Sequence, residues 1–382
     1  MKKKVLIMTG YYVPAVKAGG PIQSIKNLVD NLSDKIDFYI VTSDRDLGDN
    51  EPFNNIKVDT WIKVGKANVF YTDPSKLTWK KIKSIINSID YDVLYLNSFF
   101  SYKFSIVPVI LKKMKKIPNR RVVLAPRGEF FAGALGYKKF KKQAFIFLSK
   151  LVGLYNDVVW HGTTQSEKQK IEKIFGENIN IIVANNLTVS CDNLIYDKKI
   201  SKNKGELKVV FISRIHPTKN LKKAIEFLKN IEGKIEFNIY GPLEDKKYWA
   251  ECLEIINSLP SNIKVEYRYI VPHDKVIEIF KEHHIFLFPT LGENFGHVIV
   301  EALIGGCPVI ISDQTPWRNL ERVHAGWDIS LKDEKKFIDV IQYCVDLNNE
   351  EYKFLSKKAF KFGKRVANVK REVNNYYKLF LL

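Results

Sequence analysis

The sequence predicts an α/β protein built from two successive doubly wound domains. Three observations lead there. At 382 residues the chain is too long for one small core and suits two domains of ordinary size. Short apolar runs alternate with helical patterns through both halves, as βαβ units do. A polar stretch without sustained apolar period, Leu187 to Leu207, separates the halves. Doubly wound sheets place ligand sites at the carboxyl ends of their strands, so the two domains are expected to face a shared cleft.

In the first half, Lys4–Met8 reads as a buried strand. Its lysine-rich start imitates a signal peptide, but the apolar stretch stops after four residues, at Thr9-Gly10. A loop with Gly19-Gly20-Pro21 leads into a helix from Ile22 to Leu32, whose Ile22, Ile25, Leu28, Val29 and Leu32 share one face. Phe38–Thr42, Asp92–Leu96, Arg121–Ala125 and Asp157–Trp160 are further strands, and Ile179–Ala184 closes the sheet. Thr164 and Glu167 read as a capping box on the next helix. In the second half the strands are Leu207–Ser213, Glu236–Tyr240, Lys264–Tyr267, Ile285–Pro289 and Pro308–Ser312. Helices are expected over Leu221–Leu228, Tyr248–Leu259, Val276–Glu282, His297–Ile304 and Lys335–Leu347. The closing segment Glu351–Leu382 is helical. The resulting division is 1–190, a linker at 191–206 and 207–364, with a terminal helix from about 365 that packs back on the first domain.

Apolar residues make up 46% of the chain and aromatics 13%, enough for two cores and against global disorder. No apolar run approaches the ~20 residues of a spanning helix. Cys191, Cys252, Cys307 and Cys344 are scattered and form no CxxC pair, which points to reduced core thiols in a cytoplasmic protein. Asp46, Asp49 and Glu51 lack a metal's grouping, so no metal is implied, nor any cofactor. Lys and Arg number 61 against 42 Asp and Glu, a formal net charge of +19. Between Ile110 and Lys150 stand twelve basic residues and one acid, Glu129. Such a cluster seeks a polyanion, a nucleic acid or an anionic membrane.

The most informative segment is Phe286 to Ser312, FLFPTLGENFGHVIVEALIGGCPVIIS. A strand ends at Pro289, a turn holds Gly292, Glu293, Asn294, Phe295 and Gly296, and a helix follows with Glu301 eight positions after Glu293. The turn offers backbone N–H groups at a helix start, suited to phosphate or sugar oxygens. Glu293 at the mouth can accept from sugar hydroxyls, and Glu301, about two turns on, can reach ribose hydroxyls. Alone, each Glu would read as a cap or a surface residue. A second segment, Phe211 to Leu221, ends a strand and sets Arg214 and Lys219 five apart before a helix. Two fixed cations there suit a diphosphate.

Together these segments resemble the E-x7-E signature of retaining family 4 glycosyltransferases, which share the GT-B fold of two Rossmann-like domains. Asn294 stands where that family often has Gly, and Gly305-Gly306-Cys307-Pro308 looks like its small-residue turn. The resemblance implies that Arg214 and Lys219 bind the donor pyrophosphate and stabilise the departing nucleoside diphosphate. It implies that Gly19 and Gly20 form the glycine-rich loop that meets the donor phosphates from the other domain. A UDP-hexose is the donor class it favours, a GDP-hexose the alternative, with retention at the anomeric carbon. Many family members carry His-Gly where this chain has Arg127-Gly128. Arginine stays protonated and cannot be a general base. Arg127 therefore supports sugar or phosphate charge, anchors an anionic acceptor, or pairs structurally with Glu129. His161, in a similar family segment, is read as architectural, and His283-His284 as a helix end.

Residues Tyr137 to Tyr155 can form a helix with Tyr137, Phe140, Ala144, Phe147, Leu148, Leu151 and Tyr155 on one face and Lys138, Lys139, Lys141 and Lys142 at its start. It is either a core helix with a solvated basic end or a helix lying on an anionic bilayer at the inner face of the cell membrane. Its place in the acceptor half favours the second, because enzymes of the resembled kind often take lipid-linked saccharide acceptors in polysaccharide or glycolipid synthesis. A nucleic-acid-binding protein would need basic residues interleaved with exposed aromatics or a reading motif, neither of which is found. An epimerase or phosphorylase of the same two-domain form would need its own catalytic equipment, and no cofactor-lysine segment stands near the C-terminus.

Overall fold

The computed structural model describes residues 2–136, 139–189, 194–367 and 370–381, without the side chains of Ala132, Gly133, Lys370 and Arg371. It forms two compact units, residues 1–188 with 369–382 and residues 189–368.

The first unit is a sheet of eight strands: β1 (Lys3–Met8), β2 (Ile36–Ser43), β3 (Trp61–Val64), β4 (Ala67–Thr72), β5 (Val93–Asn97), β6 (Arg121–Ala125), β7 (Val158–Gly162) and β8 (Ile181–Val183). They lie in the order β3-β4-β2-β1-β5-β6-β7-β8, and every pairing but β3–β4 is parallel. The helices are α1 (Gly20–Leu32), α2 (Trp79–Asn87), α3 (Val107–Lys113), α4 (Ala132–Gly136), α5 (Lys139–Leu151) and α6 (Gln165–Phe175). Alternate residues of β1 enter opposite cores, Leu6 and Met8 under α2, α3 and α6, Val5 and Ile7 under α1. A parallel sheet buried on both faces gives continuous apolar strands rather than alternation, which is why the strands read so clearly. The β3–β4 hairpin was not expected. It sits at the sheet edge and turns at Gly65-Lys66, with Trp61 packed on Phe70 at 5.3 Å.

The second unit holds β9 (Glu206–Ile212), α7 (Leu221–Leu228), β10 (Lys234–Tyr240), α8 (Lys246–Ile256), β11 (Ile263–Tyr267), α9 (Val276–Lys281), β12 (Ile285–Phe288), α10 (His297–Ile304), β13 (Val309–Ser312), β14 (Gly326–Ile329), α11 (Glu334–Asp346) and α12 (Asn349–Val366). Its parallel strands run β11-β10-β9-β12-β13-β14 around one core. The closing segment is two helices, α12 and α13 (Lys370–Leu381), and α13 belongs to the first unit. There Tyr376, Leu379 and Phe380 are buried among Val5, Ile7 and Tyr95, and Glu372 accepts from the Asn185 backbone at 2.9 Å.

The apolar stripe of α5 faces outward: Phe140 is 85% exposed, Phe147 67% and Leu151 72%. Tyr155 leaves that stripe and lies in the core, against Phe99 and Trp160. Thr164 does cap α6, accepting from Glu167 N at 3.1 Å. The fully buried Glu167 carboxylate accepts from Thr163 N at 2.8 Å and Gly128 N at 2.5 Å, so it also holds the turn after β6.

Candidate functional site

In the second unit the chain runs from β9 outward to β10 and β11, then returns to β12 on the other side of β9. The carboxyl ends of β9 and β12 therefore flank the point where strand order reverses, the usual ligand position in such sheets. The turns after these two strands are stitched together. Leu291 N donates to Thr218 O at 2.9 Å, Thr290 Oγ1 to the same carbonyl at 3.1 Å, and Asn220 Nδ2 to Pro289 O at 2.8 Å. This brings Lys219 Nζ onto the Glu293 carboxylate, with both side chains largely buried. An ammonium has three donors, so the pair leaves Lys219 able to meet further oxygens. Arg214 meets Glu244 at 2.5 Å and is about one-third exposed. Glu244 follows β10, the strand beside β9, which is how it reaches Arg214.

The helix start at α10 is set by Gly296, whose φ of 79° is left-handed. Asn294, expected to serve the tight turn, has no positive φ; Gly296 supplies it. The Phe295 ring is buried against Trp317, and its carbonyl accepts from Trp317 Nε1 at 2.6 Å. What Phe295 can offer a ligand is backbone. Glu301 is not a surface residue: it is 7% exposed and holds His273 Nε2 at 2.8 Å.

In the first unit, order also reverses beside β1, between β2 and β5. After β1, Gly19 takes φ 66° and α1 begins at Gly20 with no side chain capping it. A Cβ built on either glycine meets nothing within 4 Å, so this helix start opens to space where a ligand oxygen fits. Arg127 follows β6. It does not pair with Glu129, whose carboxylate turns the other way and accepts from Ser98 Oγ at 2.6 Å and the Phe99 and Phe100 N–H groups. Burial raises the pKa of Glu129.

The Arg127 guanidinium instead donates to Asn97 Oδ1 at 2.9 Å, Asn186 Oδ1 at 2.5 Å and Tyr95 Oη at 2.8 Å. Tyr95 continues the chain to His161 Nδ1 at 2.7 Å, and His161 Nε2 reaches Ala184 O at 2.8 Å. A carbonyl only accepts, so Nε2 carries the proton, Nδ1 accepts, and the Tyr95 hydroxyl donates. Burial, then the Arg127 charge, pushes the His161 pKa down to about 3, and burial raises Tyr95 to about 12. The histidine is thus a fixed neutral relay under Arg127. Beside it the buried Asn97 Nδ2 has no partner among the described residues.

Of the lysines assigned to a membrane surface, Lys139 and Lys141 are exposed. Lys142 is not available: its ammonium donates to Ala134 O at 2.7 Å and lies 4.8 Å from the Phe100 ring centre. Lys138 lies outside the described residues, as do Tyr137 and Cys191. Cys252, Cys307 and Cys344 are free and buried. Among the described residues no cluster of His, Cys, Asp and Glu is grouped to hold a metal, and no helix is long and apolar enough to cross a membrane.

Sequence reasoning missed Glu244, His273, Tyr95, Asn97 and Asn186. Two of them, Glu244 and Asn97, stand at or just beyond the ends of strands adjoining those that carry Arg214 and Arg127, an adjacency that only the strand order reveals.

Residues 192–362 match the family described as Glycosyl transferases group 1. A relative is an uncharacterized 41.2 kDa protein in the cps region of Klebsiella pneumoniae, 24% identical over 237 residues, or 60% of this chain. The match spans 63% of that relative's own length. The chain is similar in structure to Anabaena HepE in complex with UDP and glucose, with a TM-score of 0.70, 14% identity and 99% of each chain covered. Sucrose-phosphate synthase from Thermosynechococcus elongatus gives a TM-score of 0.69 at 14% identity, covering 99% of this chain and 98% of its own. TarM from S. aureus, crystallised with Fondaparinux, alpha-GlcNAc-glycerol and UDP, gives 0.68 at 14% identity with 99% of each chain covered. The fold class expected from the sequence, GT-B, is the one these parallel-sheet units match.

Proposed function

We propose that this chain, whose residues 192–362 match the family described as Glycosyl transferases group 1, transfers a hexosyl-type sugar from a nucleotide-sugar donor, a UDP-sugar first, to an acceptor hydroxyl with retention. One observation carries the reading. At the reversal point of the second sheet, Lys219 and Glu293 meet, Arg214 and Lys219 stand on the one turn that follows β9, and Glu301 follows on the helix beyond.

In this reading the diphosphate lies on the N–H groups of the α10 turn and on the two cations. As the bond from the sugar's anomeric carbon to the phosphate oxygen breaks, negative charge grows on the diphosphate, and Arg214 and Lys219 stabilise it. The acceptor hydroxyl forms the new bond to that carbon and passes its proton to the departing diphosphate oxygen. Glu293 accepts from sugar hydroxyls, and Glu301, oriented by His273, accepts from ribose hydroxyls. Two side-chain cations supply the charge that a divalent ion supplies in other transferases, so the reaction is proposed to need no metal and to survive a chelator. Arg127, part-buried and held over its neutral histidine, offers its remaining N–H donors to an acceptor in the first unit. Two findings support the donor and setting: UDP-bound structures among the similar folds, and a relative encoded in a cps region, which fits cell-surface polysaccharide or glycolipid synthesis.

Arg214→Ala and Lys219→Ala are each expected to lower turnover at saturating donor by about 10²–10³-fold without unfolding. Calorimetry with UDP separates the carboxylates. Glu293→Ala keeps UDP affinity and loses catalysis, whereas Glu301→Ala and His273→Ala weaken UDP itself. Near-normal turnover in either cation variant would remove the leaving-group role, and the reverse calorimetric pattern would exchange the two carboxylates.

A further inference from the structure

On the first unit, α5 turns its apolar stripe to solvent. Phe140, Phe147 and Leu151 follow one another at spacings of seven and four and so share a face, with Leu148 beside them, 55% exposed, and Val152 just beyond, 56% exposed. The helix is held from its other side by Phe145 and Ile146, which pack on the core, Phe145 against Phe99 at 5.4 Å. The stripe is therefore not a core face waiting for its own domain. It borders a hollow of about 920 Å³ whose apolar wall includes Leu135, Ile146, Phe147, Leu151 and Ile174.

Charge around this surface is mostly positive, the exposed Asp157 beside Lys112 being an exception. Lys141 follows Phe140 on one flank of the stripe, and Lys139 and Lys150 lie on the other, the Lys150 ammonium donating to Ile174 O at 2.7 Å. Lys113 Nζ donates to Gly153 O at 2.9 Å, which brings the basic turn around Lys115 and Lys116 to the far end of the helix. The acid within residues 110–150, Glu129, is buried and bonded. An exposed row of Phe and Leu between solvated lysines is what an interfacial helix presents: apolar groups enter the acyl boundary while ammonium groups stay at the phosphates. A second copy docking by the same face would bring these lysines against their equals.

We propose that the outer face of α5, with the basic turn after α3, docks this chain on an anionic lipid surface by inserting Phe140, Phe147 and Leu151. The proposal stands on exposure and charge and does not depend on the glycosyl-transfer reading.

Flotation with phosphatidylcholine vesicles, with and without phosphatidylglycerol, tests it at low and high salt. The chain is expected to float with the anionic vesicles only. Lys139→Gln and Lys141→Gln each lower binding about fivefold at low salt and much less at high salt. Phe140→Ser, Phe147→Ser and Leu151→Ser combined lower it more than about tenfold at either salt. Because all these side chains face water, every variant keeps the parental melting temperature, so lost flotation is not lost folding. Three results overturn the proposal: no flotation, equal flotation with neutral vesicles, or a stable dimer in solution that the apolar triple variant dissolves.

Discussion

Three histidines are sealed inside this chain as neutral rings, and that ties its stability to acid. Burial is the main cause for each, lowering His161 to about 3, His283 to about 4 and His284 to about 3. His284 Nδ1 accepts from the Lys208 backbone at 2.8 Å, and the His283 ring lies between Asn238 and Ile279 O. Their folded pKa values lie below the unfolded value of about 6.5, so the unfolded chain binds protons that the native one refuses. Stability is full above pH 6.5 and falls as pH drops from there toward about 3. Each ring contributes about 1.4 kcal/mol per pH unit, so together they approach about 4 kcal/mol per unit near pH 5. Glu129, with its folded pKa raised, works in the opposite direction and offsets at most one of the three. Urea unfolding from pH 7 to 5 checks this, and a flat profile would refute it. At this scale the site was half legible. Lys219 and Glu293 were readable because strand, turn and helix fix them locally. Glu244 and His273 were not, since each meets its partner from about 30 residues away across a sheet whose order the sequence does not print.

Among the elements, the start of α10 depends on one backbone conformation. Gly296 sits at φ 79°, and a Cβ there would stand 2.9 Å from Ile299 Cδ1. Gly296→Ala is expected to cost about 1–2 kcal/mol, from left-handed strain and displacement of Ile299. It should also weaken UDP binding, because the N–H groups of the turn rotate with it. Normal thermal stability and normal affinity together would show that the turn tolerates a side chain. The α10 helix was predicted with its observed bounds, since a four-residue apolar strand and a glycine turn announce it. The β3–β4 hairpin escaped although Gly65 opens its two-residue turn, because strands of four and six residues at an edge carry little periodic signal. For α5 the period was right and the side was open. Periodicity reports that a helix has two faces and not which one meets water.

For the molecule as a whole, each unit has its own core, and the first is discontinuous in sequence. Tyr376 and Phe380 close one face of its sheet, with Phe380 packed 5.2 Å from Tyr95. Phe380→Ala is expected to cost about 3–5 kcal/mol, as deletion of a buried ring does. The loss should fall on the first unit alone. Two-probe denaturation would then show one transition moving and the other staying. If both move together, the units unfold as one. The return of α13 also sets the order in which the chain can be completed during synthesis. The second unit is continuous and can close as soon as residue 368 is available, while the first waits for α13 although its strands were made long before. At ribosomal speeds of about 5–20 residues per second, the intervening segment delays it by roughly 10–35 s. Through that interval the sheet face around Val5, Ile7 and Tyr95 stands partly bare, an aggregation hazard that a chaperone holding the nascent chain would relieve.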